Sequence, residues 1–169
     1  MKAATKSIKL TALASAILSA GLIMSTGAIA GGTTSLTVNA TITAVCKVTT
    51  APGTLNFGII DPSGVVNATA SATFVMKCSN GTTSTAATDN GGLNFSVTKR
   101  MQHTVAGNFL AYAIAYVNDI GFAGAGFAGA AASQTVTING TITPAQYAGA
   151  LATTGAQIYA DTVTITVNP

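Results

Sequence analysis

Acid–base chemistry in this 169-residue chain has very few possible actors. The acidic side chains are Asp61, Asp89, Asp119 and Asp161, there is no Glu, and His103 is the one imidazole. Zinc held by His103, Cys46, Cys78 and one Asp is formally possible, yet positions 46, 78 and 103 match no compact ligand spacing. A His-rich metal site cannot be built. The inventory predicts no catalytic residue, no metal and no cofactor. His103, shortly after Lys99-Arg100-Met101, reads as a solvated or hydrogen-bonded loop residue rather than a ligand or a pH switch.

The charges that exist are unevenly placed. Lys2, Lys6 and Lys9 precede a mostly apolar, uncharged run from Leu10 to Met24, and Ala28-Ile29-Ala30 supplies the small residues that signal peptidase reads. Residues 1–30 are therefore expected to be a cleaved secretory signal; the run is shorter than the ~20 residues that span a bilayer. Beyond it, Lys47, Lys77, Lys99 and Arg100 balance the four aspartates. Nucleic-acid binding, which needs clustered cations, loses its footing. A chain 49% hydrophobic and 7% charged also argues against disorder, and its length suits one domain with one core. An even pair of cysteines in an exported chain favours a Cys46–Cys78 disulfide, with two free buried thiols as the alternative. The chain-entropy relation gives roughly 3.7 kcal/mol for the loop so closed, against ~5–15 kcal/mol for a whole domain.

The elements that must position these residues follow a period of two. From 35 to 48 every even position is apolar or Cys: Leu36, Val38, Ala40, Ile42, Ala44, Cys46 and Val48. At ~3.4 Å per residue that run would reach about 48 Å, whereas a usual strand covers roughly 17–20 Å. Further strands are expected at Thr54–Gly58, Thr69–Cys78, Leu93–Thr98, Asn108–Val117, Thr135–Asn139 and Tyr159–Val167. Turn signals separate them: Pro52-Gly53, Asp61-Pro62-Ser63-Gly64, Asn80-Gly81, Asp89-Asn90-Gly91-Gly92 and Asn139-Gly140. Thr143–Leu151, with Pro144 near its start, suits a short helical turn. The pentapeptide Gly-Phe-Ala-Gly-Ala is written twice from Gly121 and reads as a flexible surface loop, with Phe122 and Phe127 as contacts on a neighbouring molecule being the other reading. Four Asn-x-Thr triplets are expected by chance in a chain this rich in Thr.

The surplus apolar strand is the informative feature. If Ala44–Thr50 pairs inside the domain, Ser35–Thr43 is left with Leu36, Val38, Ala40 and Ile42 on one side and needs another groove to bury them. Burying Leu, Val or Ile contributes about 1.5–3 kcal/mol each, an upper-end figure. The strand candidates also carry few of the charges and prolines that protect open edges in monomers. Strand addition by a partner uses such edges, and a head-to-tail version of that contact grows a filament.

Leu55-Asn56-Phe57-Gly58 leading to Asp61-Pro62, Cys78-Ser79-Asn80-Gly81-Thr82, Lys99-Arg100-Met101, Asn139-Gly140-Thr141-Ile142 with Pro144, and Tyr159-Ala160-Asp161-Thr162-Val163-Thr164-Ile165-Thr166-Val167 stand in an order that resembles a family. It is similar to the spore coat protein U domain of archaic chaperone–usher pilins, the group that includes the Csu pilus major subunit. The resemblance spans most of 33–167. It implies an all-β, immunoglobulin-like sandwich lacking its last strand and completed by donor-strand exchange. It also implies neighbouring pilin subunits as partners in a homopolymer, a periplasmic chaperone, an outer-membrane usher and export to the cell surface. By position, residues 31–43 would be the donor strand with Leu36, Val38, Ala40 and Ile42 as its side chains, residues 44–169 the pilin domain, and Cys46–Cys78 the family disulfide. Val163, Ile165 and Val167 would border the accepting groove.

The expected function is that of a structural subunit, the major pilin, of a surface fibre for adhesion and biofilm formation. The alternative from another class is a self-complete exported β-sandwich binding module, in which the leading run bends near Thr43 and fills its own groove.

Overall fold

Period-two patterning is realised where a neighbouring strand can use it. The computed structural model describes residues 32–156 and 158–169, so the expected signal, residues 1–30, lies outside the described residues. The chain divides into one unit up to Asn39 and a second from Ala40 to Pro169. In the first, residues 32–39 are exposed and carry no regular structure.

The second unit is almost entirely β. Its strands are β1 (Cys46–Thr50), β2 (Ala68–Cys78), β3 (Thr88–Asp89), β4 (Arg100–His103), β5 (Phe109–Ala111), β6 (Ala113–Val117), β7 (Gln134–Ile142), β8 (Tyr159–Ala160) and β9 (Ile165–Thr166). A single helical turn, α1 (Pro144–Tyr147), starts at the expected Pro and is closed by Gln146, whose side chain accepts the Thr143 N–H at 2.7 Å.

All pairings are antiparallel, and β1-β2-β7-β6 form one sheet. This is the A-B-E-D order of an immunoglobulin-like sandwich. The opposite layer stands at C and F: β3 pairs β9, and β4 pairs both β5 and β8. Among the described residues no strand occupies G, the position beyond F. Between the sheets, Phe74, Met76, Val136 and Ile138 are buried beneath Ile165, Val167 and Leu55. Toward the other end Leu110, Tyr112, Ile142 and Tyr147 are buried beneath Val163, Tyr159 and Phe57.

Several expected strands differ from those observed, each for a reason outside the local pattern. Leu93–Thr98 is turn, with Leu93 and Val97 exposed. Between the pairs Asp89↔Ile165 and Gln102↔Ala160, residues 90–101 face only 161–164, so the surplus loops out. Gly91 and Gly92, at φ 80° and 95°, make the exit turn. Asn108–Val117 is one parity but two strands: Phe109–Ala111 pairs β4 and Ala113–Val117 pairs β7. The chain changes sheets at Tyr112, a device that forms sandwich corners. Thr54–Gly58 has no strand partner, although Leu55 and Phe57 face inward against Gly140. Tyr159–Val167 keeps its alternation but pairs only at its two ends.

Candidate functional site

The missing G position leaves a groove. Its lips are β1 with the residues just after it on one side and the 159–167 segment on the other. Val48, Pro52, Phe74, Val163 and Ile165 line a cavity of about 200 Å³. Alternation in the last segment sets its chemistry: Val163, Ile165 and Val167 are half-buried, while Thr162, Thr164 and Thr166 are exposed. The backbone bonds flanking β9 go to one side, Asn90 N–H to the Thr164 carbonyl, Leu93 N–H to that of Thr162 and Thr85 N–H to that of Asn168. The N–H and C=O groups of Val163 and Val167 have no partner among the described residues. Such groups on an apolar lip suit a strand, because a β-ladder satisfies them while its side chains fill the groove.

Of the expected edge residues, Val163 and Ile165 line the cavity and Val167 packs with the Phe74 cluster. Sequence reading did not assign Val48, Pro52 or Phe74 to this place. Val48 carried a signal, being the last apolar member of the even-position run. Of the expected donor side chains, Leu36, Val38 and Ile42 are 86%, 81% and 90% exposed, and Ala40 is exposed too. The cysteines are joined, Cys46 to Cys78, directly opposite one another in the β1–β2 register.

The titratable groups are engaged structurally. Tyr112 donates its hydroxyl to Asp161 Oδ2 at 2.6 Å, and Tyr116 donates to Asp89 Oδ2 at 2.8 Å. Burial, then the hydrogen-bonded carboxylate, pushes both phenols far above their ordinary value. Burial pushes the Asp89 carboxyl up, but bonds from Tyr116, Lys99 and the Gly91 N–H, with the Lys99 charge, outweigh it and hold it below the ordinary value. Lys99 Nζ lies 3.1 Å from Asp89 Oδ1. The Ser63 hydroxyl and N–H lower exposed Asp61, and Asp119 accepts the Ala87 N–H at 2.8 Å. His103 is hydrogen-bonded, as one of the two expectations had it, but is neither solvated nor in a loop: it ends β4, is buried, accepts the Val105 N–H at Nδ1 and meets Tyr159 edge-on at 4.7 Å between ring centroids. Among the described residues no three His, Cys, Asp or Glu side chains group as metal ligands would.

An all-β domain with A-B-E-D and C-F layers and an open edge beyond F belongs to the class of incomplete immunoglobulin-like sandwiches. The Spore Coat Protein U domain model matches residues 32–166, and the chain belongs to that family. No curated protein matches it. Among solved structures it is similar to the CsuC–CsuE chaperone–tip adhesion subunit pre-assembly complex from the archaic chaperone–usher Csu pili of Acinetobacter baumannii. Identity is 19% and the TM-score 0.43, over 76% of this chain and 40% of that one.

Proposed function

We propose that this chain is an exported structural subunit, the repeating pilin of a chaperone–usher surface fibre that serves adhesion and biofilm formation. The observation that carries the reading is the pairing of two incomplete features in one chain: an apolar groove with unpaired main chain on its 159–167 lip, and an exposed leading segment with period-two apolar residues. Residues 31–43 of one copy enter the groove of the next. Leu36, Val38, Ala40 and Ile42 then point into the core beside Val163, Ile165 and Val167. A periplasmic chaperone holds the groove until an outer-membrane usher hands the subunit on. No catalysis is involved.

Deletion of residues 31–43 tests this. The remaining domain should stay monomeric and gain stability from added peptide 31–44. A self-complete module would instead lose stability on deletion and regain it without forming any fibre. In cells, Leu36→Asp or Ile42→Asp should abolish the fibres that electron microscopy detects with the unaltered chain.

A further inference from the structure

If residues 31–43 are seated in a neighbour, tension along the fibre enters this domain at Val45, the residue before β1. β1 alone is poorly made to resist it. It has five residues, four of them exposed. Its ladder to β2 breaks register between Val48 and Thr50, and Lys47 stands directly opposite Lys77. Like charges so placed weaken a pair of strands.

The fastening is instead concentrated at the first residue. Cys46 is bonded to Cys78, where β2 ends, and β2 runs beside β7 through nine register pairs. Val45 adds a clasp: its N–H donates to Ser79 Oγ at 3.0 Å, and its carbonyl accepts the Ser79 N–H at 2.8 Å. The repeated pentapeptide then closes over this pole. Gly126 N–H donates to the Cys78 carbonyl at 3.0 Å. Gly124 lies so near the backbone of Cys78 and Ser79 that a Cβ would overlap their carbonyl oxygens. Lys77 donates to the Gly129 carbonyl at 3.2 Å, while Lys47 Nζ sits 5.9 Å from the Phe127 ring centroid, so the loop gives each of the two facing cations its own partner.

We propose that the Cys46–Cys78 pole, with its Gly-Phe-Ala-Gly-Ala buckle, is a tension clamp that passes force from the donor segment directly into the central strand β2 and keeps β1, one lip of the groove, from being pulled away. This rests on the donor-strand reading. The clamp protects the subunit's own accepting groove while its leading segment is under load.

Single-molecule pulling tests it, with residues 31–169 tethered at both ends and compared before and after reduction with dithiothreitol once mounted. The reduced chain should show an extra low-force step of about 17 Å, the five residues of β1 at ~3.4 Å each. The oxidised chain should lack it. Absence of that low-force step from the reduced chain overturns the clamp. So does loss of the sheet on reduction before any force is applied, measured by circular dichroism, since the bond would then be a folding staple. Stretching assembled fibres separates this from the donor-strand reading: absence of fibres from oxidised protein sinks that reading, whereas fibres that stretch alike in both redox states sink the clamp alone.

Discussion

Tyr112 shows how one side chain can hold a sandwich whose sheets share few charges. It sits at the corner between β5 and β6, nearly buried, and its hydroxyl reaches Asp161 on the facing F segment. Removing it leaves a carboxylate short of a partner, so Tyr112→Phe should cost about 1.5–3 kcal/mol in urea unfolding. The pH dependence has a definite sign. A phenol raised in the folded state contributes stability that is intact below its unfolded value near 10 and is lost as pH rises beyond it. The wild type should therefore weaken above pH 10, and Tyr112→Phe with Tyr116→Phe should flatten that decline. Asp89 acts at the other end: its lowered carboxyl contributes stability that is present above its unfolded value of 3.8 and is lost as pH falls through the still lower folded value. Asp89→Asn should remove part of the acid-side slope in the same titration. Neither pairing was legible in the sequence, where Tyr112 and Asp161 are 49 positions apart and nothing local joins them.

At the scale of elements, what could be read was whatever local alternation decides. Thr69–Cys78 and Thr135–Asn139 have clean parity and lie at the centre of a sheet, so burial on one face and water on the other both enforce the pattern; the second strand runs on to Ile142, because Asn139-Gly140, which reads as a turn, stays in the ladder opposite Ser71 and Ala70. The parity of Leu110, Tyr112, Ile114 and Tyr116 was also right, although the sheet change at Tyr112 depends on two different partners, β4 for β5 and β7 for β6, which local alternation cannot announce. Leu93–Thr98 has equal alternation but no partner register left to receive it. Thr54–Gly58 is the intermediate case, apolar residues inward without a ladder. Its side chains occupy the space that Gly140 leaves: a Cβ there would lie 2.7 Å from Leu55 Cδ2 and from Phe57 Cζ. Gly140→Ala should accordingly overpack the site and cost about 1–3 kcal/mol. In a Leu55→Ala background the cost should shrink, and a double-mutant cycle by urea unfolding would read that coupling. Equal costs in both backgrounds would mean that Leu55 is not what the added methyl meets.

Across the whole molecule, the groove and the leading segment share one chemical property, the absence of charge. Residues 31–43 contain no ionisable side chain, and Val48, Pro52, Phe74, Val163 and Ile165 have none to offer them. The leading segment's surplus was visible in the sequence because fourteen residues in one phase exceed what a small sandwich can pair; the lip formed by Val48 and Pro52 was not, because only folding brings it beside Val163. On the proposed donor-strand reading, affinity between the two would come from buried apolar area and ladder hydrogen bonds. Salt screens charge pairs over a Debye length of about 8 Å at physiological ionic strength but leaves those contributions in place. Kosmotropic sulfate strengthens effective burial. Peptide 31–44, acetylated and amidated to remove its terminal charges, should therefore bind the domain starting at Ala44 with an affinity unchanged from low salt to 0.5 M sodium chloride and tighter in sodium sulfate. At a hundredfold excess over its Kd it should add about 2.7 kcal/mol to the domain's unfolding free energy. Titration calorimetry at the three salt conditions is the check. A tenfold loss of affinity in chloride would point to a charged docking surface elsewhere on the domain and would remove the groove as the seat of the leading segment.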